Sequence, residues 1–343
     1  MSIALNLKMR SADSLFKVFV NSFARAATLV VLSSGVAQSA DWKPEKAVEI
    51  VVPAAPGGGT DLVARTPQKI LTNQRLTASP TQVVNKAGGG GSIGFTYVAQ
   101  HRGNPHYLGV TYPSLVTNHI VGTSSLKHTD VTPLAQLRNA YIGFAVRADS
   151  PLKSTRDLLD RLRKDPGSVV FSTFALGAPN HLALALVMEA AGIDVKKLKV
   201  VIYASGGESQ TALLGGHVDV VPTGIYNLLA PMQEGRIRVL AVTSPKRGEG
   251  AIAQVPTWKE SGIDVVIGQW LGVIAPPGIS PSQIAYWDEV FGQVVKTDEW
   301  KLEVQRNAED NEYLNSRDSK RFLDSKYDEY KRILVELGLA KQN

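Results

Sequence analysis

Two glycine clusters carry the clearest chemical signal in this sequence. The first reads Pro53-Ala-Ala-Pro-Gly57-Gly58-Gly59-Thr60-Asp61 and the second Asn85-Lys86-Ala87-Gly88-Gly89-Gly90-Gly91-Ser92. Each follows a Val-rich run and stands immediately before a helical pattern. A glycine backbone can approach a ligand closely and aim successive N–H groups at it, and the free N–H groups of a helix's first turn favour an anion. The competing reading is turn geometry alone, with Thr60 or Ser92 as a helix N-cap. Two such loops in one chain favour the anion site. Charge placement agrees: the 68 residues between Asp61 and Asp130 hold no carboxylate but carry Arg65, Lys69, Arg75, Lys86, Arg102 and Lys127. Such a stretch biases its surroundings towards anions, and Lys86 lies inside the glycine loop itself.

Other chemistries fit less well. Gly89, Gly91 and Gly94 make a formal G-x-G-x-x-G, but the acidic residue that should follow about 20 positions on to bind a ribose is missing. No Gly-Lys-Ser/Thr follows the glycines, which excludes a phosphate-binding P-loop. The six histidines form no H-E-x-x-H, and no G-x-S-x-G elbow occurs. With no cysteine there is no disulfide, no thiolate metal site and no Cys nucleophile. A Ser/His/Asp triad assembled in space stays open. No cofactor or metal is required by any motif.

The loops sit on an alternation of strands and helices. Strands are expected at Val48–Val52, Gln82–Asn85, Val169–Ser172, Val200–Tyr203, Val218–Val221 and Ile237–Val242. Helices are expected from Asp61, over Ser92–Gln100, Thr155–Lys164, His181–Ala191, Glu208–Leu214 and Ile225–Glu234. Such alternation argues a parallel sheet, with ligands beyond the carboxyl ends of its strands. There the middle block offers Ser172-Thr173-Phe174-Ala175-Leu176-Gly177-Ala178-Pro179-Asn180, then Ala204-Ser205-Gly206-Gly207, then Pro222-Thr223-Gly224, groups rich in hydroxyls, amides and backbone N–H and nearly free of charge. They suit a neutral clamp over the far end of an anion. Tyr141–Arg147 and Trp270–Pro276 flank this block as apolar, extended segments, the pattern of strands crossing between two lobes. Leu323, Tyr327, Tyr330, Ile333 and Leu334 fall at helical spacing.

The chain has 343 residues, 44% of them apolar, enough for about two domains. Residues 1–40 have the parts of a secretory signal: a basic stretch ending at Arg25, an apolar stretch Ala26–Ala37, and small residues Ala37, Ser39 and Ala40. Twelve apolar residues are too few to span a membrane, which takes about 20. Removing the leader takes away four of the 37 cations and one of the 31 acids, leaving a formal +3, no argument for a nucleic-acid partner.

Collectively the motifs resemble the periplasmic solute-binding proteins of tripartite tricarboxylate transporters, the TctC or Bug family. Carrying the resemblance are Val51 to Asp61, Asn85 to Gly91, Val146-Arg-Ala-Asp-Ser-Pro-Leu-Lys153, Asp165-Pro-Gly167, Tyr203-Ala-Ser-Gly-Gly207, Gly215-Gly-His-Val-Asp219, Arg238-Val-Leu-Ala-Val-Thr-Ser244, Val255-Pro-Thr257 and Gln269 to Gly278. It implies an α/β, two-lobed type II periplasmic-binding-protein fold, each lobe a mainly parallel sheet flanked by helices, with a ligand cleft between lobes. Lobe 1 is expected over 41–145 and 270–343, and lobe 2 over 146–269. It implies a monomeric, periplasmic, non-enzymatic protein that captures a small carboxylated solute and delivers it to membrane permease subunits. The family's carboxylate-holding loops match Ala55, Gly57, Gly58, Gly59, Thr60 and Asp61, then Lys86, Gly88, Gly89, Gly90, Gly91 and Ser92. Its opposing loops match Ser172 and Thr173, then Tyr203, Ser205 and Gly206. Here Ala54 replaces the family's usual aromatic, for which Phe174 and Tyr203 are candidate substitutes, Pro67 interrupts the first helix, and Tyr107–Val121 is only loosely similar. Two other readings stand beside transport: a sensor acting on a membrane receptor, and a periplasmic enzyme for small anionic substrates.

Overall fold

A computed structural model describes residues 42–57, 59–173, 177–203 and 206–341. The expected export leader, 1–40, lies outside them. The strands are β1 (Val48–Val52), β2 (Thr81–Asn85), β3 (Tyr107–Thr111), β4 (Thr132–Arg147), β5 (Val170–Thr173), β6 (Lys199–Ile202), β7 (Val221–Gly224), β8 (Ile237–Val242) and β9 (Gly268–Ala275). The helices are α1 (Gly59–Asn73), α2 (Ser92–Gln100), α3 (Ser114–Ile120), α4 (Thr155–Lys164), α5 (Pro179–Ala190), α6 (Gly206–Leu214), α7 (Leu229–Gln233), α8 (Pro281–Val294), α9 (Asp298–Arg306) and α10 (Ser316–Glu336).

β1 pairs in parallel with β2 and β3, and its four aliphatic residues are buried, as a strand covered on both faces requires. β9 runs antiparallel between β3 and β4. The 16 residues of β4 serve two groups of strands. Its first half pairs with β9 as far as Tyr141 opposite Gly268; its second half pairs with β7 from Ile142 opposite Gly224 and with β8 from Gly143 opposite Val242. β5 and β6 pair in parallel and reach β7 through a bridge from Phe171 to Val220.

The handover between Tyr141 and Ile142 is stitched by Thr243, which is completely buried. Its hydroxyl accepts from the Ile142 N–H (3.0 Å) and donates to the Ile267 carbonyl (2.6 Å), while its own N–H reaches Ile142 O (3.0 Å). One side chain thus joins β4, at the point where it changes partners, to the residue that precedes β9.

Helix boundaries follow their caps. Ser154 accepts from Asp157 N–H and Asp157 accepts from Ser154 N–H, a reciprocal pair that starts α4, whose Leu158, Leu159 and Leu162 are buried. Ser280 and Gln283 do the same for α8. In α10, Leu323, Tyr330, Ile333 and Leu334 are buried as their spacing predicts.

Three expected elements differ. β4 begins nine residues before the expected Tyr141, because Pro133, Gln136, Arg138 and Asn139 break its apolar pattern although β9 pairs with it throughout. The strand expected at Val218–Val221 starts at Val221: Asp219 N–H and Val220 N–H both turn onto Val170 O, and the Asp219 carboxylate accepts from Val170 N–H at 2.8 Å. The helix expected over 225–234 is a 3-10 turn, Ile225–Asn227, followed by α7, in which Pro231 falls in the first turn, where a missing N–H costs no helical bond.

Candidate functional site

The first glycine loop is tied down by its own acid. Asp61 is 1% exposed, and its carboxylate accepts from Gly57 N–H (2.9 Å), Arg65 Nε (3.0 Å) and the Asn85 amide (2.9 Å). Burial works to raise its pKa, but the donors Arg65, Gly57 and Asn85 outweigh it and hold the carboxyl below its ordinary range. The Asn85 amide also donates to Ala54 O at 3.1 Å, so the last residue of β2 staples the loop after β1. Asp61 therefore acts within the loop, while Ala55 and Gly57 are exposed at its tip. Gly58 lies outside the described residues.

The second loop has a backbone that only glycine adopts readily. Gly88, Gly89, Gly90 and Gly91 all take positive φ, at 122°, 58°, 62° and 98°. Gly88 to Gly90 are exposed, and among the described residues no acceptor takes their three N–H groups. Their carbonyls are engaged instead: Gly88 O accepts from Gly91 N–H (3.0 Å), and the Asn118 amide donates to Gly89 O (3.3 Å), Gly90 O (3.1 Å) and Ser92 Oγ (2.9 Å). With the carbonyls held from behind, the chain presents donors to the open side, the polarity an anion needs.

The two loops share a second clamp. Tyr112 Oη donates to Pro53 O at 2.9 Å, and a Cβ placed on Gly91 would collide with Tyr112 Oη. A Cβ on Gly94 would meet Pro53 at 2.8 Å. The glycines thus let α2 close onto the first loop as well as exposing N–H groups. Burial pushes the Tyr112 hydroxyl well above its usual range, so it stays a donor. Lys86, inside the loop, turns its ammonium over the Tyr97 ring, 4.5 Å from the centroid. Arg65 pairs with Asp61 and Lys69 with Glu299 at 3.2 Å. These three cations have protein partners, and the donors exposed on the second loop are backbone N–H groups.

On the opposing side, Ser172 and Thr173 end β5 fully buried, and Tyr203 N–H donates to Thr173 O at 2.8 Å. Phe174 and Ser205 lie outside the described residues; Gly206 opens α6. Ser172 Oγ, Asn180 Oδ1 at the start of α5 and Ser209 Oγ in α6 are buried without a partner among the described residues. His181 Nδ1 accepts from Gly177 N–H at 3.1 Å, and burial holds its imidazole below the ordinary value. This segment reaches the other: a Cβ on Gly177 would stand 2.9 Å from Val121 and 3.9 Å from Thr117 Cβ. The helix carrying Asn118 is therefore a common neighbour of the second glycine loop and of the segment after β5.

Sequence reasoning placed Asn180 in the first of the opposing loops but missed Tyr112, Asn118 and Ser209. Ser209 had a local signal, since it lies in the first turn of a helix that follows one of the hydroxyl-rich loops. Tyr112 and Asn118 had none, for their partners are 59 and 28 residues away.

The family model described as "Tripartite tricarboxylate transporter family receptor" matches residues 63–339. Protein BugT of Bordetella pertussis is 29% identical over 278 residues, 78% of this chain and 83% of that protein. Among solved structures, a Rhodopseudomonas palustris protein with adipate superposes with a TM-score of 0.79 at 23% identity, over 87% of this chain and 99% of its own. MatC from the same organism, with bound malate, gives 0.72 at 20% identity, over 85% and 99%. The fold is the two-lobed one of periplasmic binding proteins. With most of its length matched, the chain belongs to the TctC family of tripartite tricarboxylate transporter receptors.

Proposed function

We propose that this chain is exported through the leader 1–40, works in the periplasm as a monomer, and closes two lobes on a small organic carboxylate that it delivers to membrane permease subunits. Lobe 1 comprises 41–145 and 270–343, and lobe 2 comprises 146–269. The strand exchange at Tyr141 and Ile142 supports crossing strands as the joint. The observation that carries the reading is the run of exposed N–H groups at Gly88, Gly89 and Gly90, whose carbonyls are held away by Asn118 and Gly91. One carboxylate of the solute docks there and at the start of α1, and the groups of Ser172, Thr173, Tyr203, Ser205 and Gly206 hold the remainder. Hydrogen bonds to a charged group contribute about 1.5–3 kcal/mol each, so three or four, less ordering costs, give micromolar affinity.

Adipate and malate in two solved relatives support a dicarboxylate or related acid as the solute. The role is binding without turnover, in keeping with a receptor family. Among the described residues no helix is long and apolar enough to cross a membrane, which leaves passage itself to the permease. Calorimetry on the purified protein against tricarboxylates, dicarboxylates, aromatic acids and amino acids tests this. Tight binding of one carboxylate class with no product supports it, and turnover of a bound acid would sink it.

A further inference from the structure

β6 has one open edge. It pairs in parallel with β5 alone, and among the described residues no strand lies along its other side. Tyr203 N–H goes to Thr173 O, and Val201 stands opposite Ser172. In a parallel ladder every second residue turns both backbone groups to the same neighbour, so Val201 and Tyr203 face β5 while Val200 and Ile202 turn N–H and C=O outward. β2, at the edge of the larger sheet, is partly covered, because the Gln68 amide donates to Thr81 O at 3.2 Å. No side chain among the described residues covers β6 in that way. Val201 and Ile202 are 40% and 52% exposed, on opposite faces of the strand. Only another polypeptide backbone offers donors and acceptors at the repeat that such an edge leaves open.

Charge selects among polypeptides. Lys199 is the one charged residue of β6, and Lys196 and Lys197 lead into it, all three exposed. Against them stands Asp194, which accepts from Lys196 N–H at 3.0 Å and lies 3.7 Å from Lys197 Nζ. The Lys199 side chain passes over Gly167, in the turn that follows Arg161, Arg163 and Lys164 at the end of α4. There Asp165 accepts from Gly167 N–H, and Asp160 pairs with Arg163. Asp219 is on the far side of β5, where its carboxylate takes Val170 N–H; the acids next along the chain, Glu189 and Glu208, lie on α5 and α6. The strand and its lead-in are therefore cationic. Lysines on an edge repel a second copy of that edge, and they attract a segment of opposite charge.

We propose that the outer edge of β6 is a docking site for an extended acidic segment of a partner protein, which adds a strand beside Val200 and Ile202 and sets its carboxylates against Lys197 and Lys199. Ile202 leads directly into Tyr203, so the docked segment ends at the start of an opposing loop. The docking does not depend on what the glycine loops bind.

Two short peptides test it, one alternating glutamate with valine and the other lysine with valine. Titrated into protein labelled with 15N at valine and isoleucine, the acidic peptide should move the amide signals of Val200 and Ile202 downfield along a saturable curve, and the basic peptide should leave them in place. Lys199→Glu should weaken the acidic peptide about fivefold or more, as reversal of a cross-strand charge pair requires. Ile202→Pro removes an outward N–H without taking a bond from β5 and should weaken it by a similar factor. Lys199 is exposed, so its variant folds and decides the matter even where the proline variant does not. Equal binding of the two peptides overturns the proposal. So does unchanged affinity in Lys199→Glu, binding that leaves the Val200 and Ile202 signals in place, or no binding of the acidic peptide at millimolar concentration.

Discussion

The side-chain amide of Asn118 donates to the carbonyl of Gly90 across 3.1 Å, joining the helix after β3 to the glycine turn after β2. The same amide reaches Gly89 O and Ser92 Oγ. One side chain on a regular helix thereby fixes the direction in which a left-handed glycine run points its donors. Pre-organised donors bind more tightly than donors that must first be ordered.

Asn118→Ala is therefore expected to weaken solute binding about tenfold or more, since the turn must be ordered at the expense of binding energy. Urea unfolding should change by only ~1 kcal/mol, the net worth of one such hydrogen-bonded group. Full affinity in this variant would show that the turn holds its shape without the amide.

Asp61 tests the first loop in the same way. Asp61→Ala removes the acceptor for Gly57 N–H, Arg65 and the Asn85 amide, a loss of ~1–3 kcal/mol in stability with weaker binding, although the carboxylate itself faces the protein. Asp61→Asn, which keeps an acceptor oxygen, should fall between. If Asp61→Ala binds solute as the parent does, the two loops are not coupled through Asn85.

His181 gives the opposing side a pH dependence of known sign. Burial lowers its pKa from the ordinary 6.5, and Nδ1 must be unprotonated to accept from Gly177 N–H. The folded protein then binds fewer protons than the unfolded chain below 6.5, so stability is complete above that value and falls as pH drops through the lower folded pKa. Unfolding free energies measured between pH 7.5 and about 5 should show this slope. His181→Asn, which retains an acceptor but no titrating group, should flatten it; an unchanged slope would assign the effect elsewhere.

At the handover, Thr243→Val keeps the shape and removes the hydroxyl. It strands the Ile142 N–H and the Ile267 carbonyl in a fully buried position, at a cost of ~1–3 kcal/mol by denaturant unfolding. No loss of stability would mean that neighbouring backbone groups close the gap.

What the sequence made legible was local. The glycine runs, the caps at Ser154 and Ser280 and the apolar face of α10 are written in contiguous residues. β4 and β9 are legible where they are apolar, but the first part of β4 is not, because Pro133, Gln136, Arg138 and Asn139 interrupt its pattern and pairing with β9 rather than composition makes that stretch a strand. Lys86 showed the same boundary within the site. Its place in the glycine loop was plain, but Tyr97, over which its ammonium sits, lies on the next helix, and only the folded chain brings the two together. Tyr112 and Asn118 were illegible for the converse reason, being ordinary polar residues whose function exists only through distant carbonyls.

The most direct test of the account follows individual amide groups. With glycine selectively labelled with 15N, the backbone amides of Gly88, Gly89 and Gly90 should show the largest downfield proton shifts when the cognate carboxylate saturates the protein, as new hydrogen bonds to a carboxylate require. Saturable binding that leaves those three signals in place while others move would contradict the assignment of the solute carboxylate to the second glycine loop.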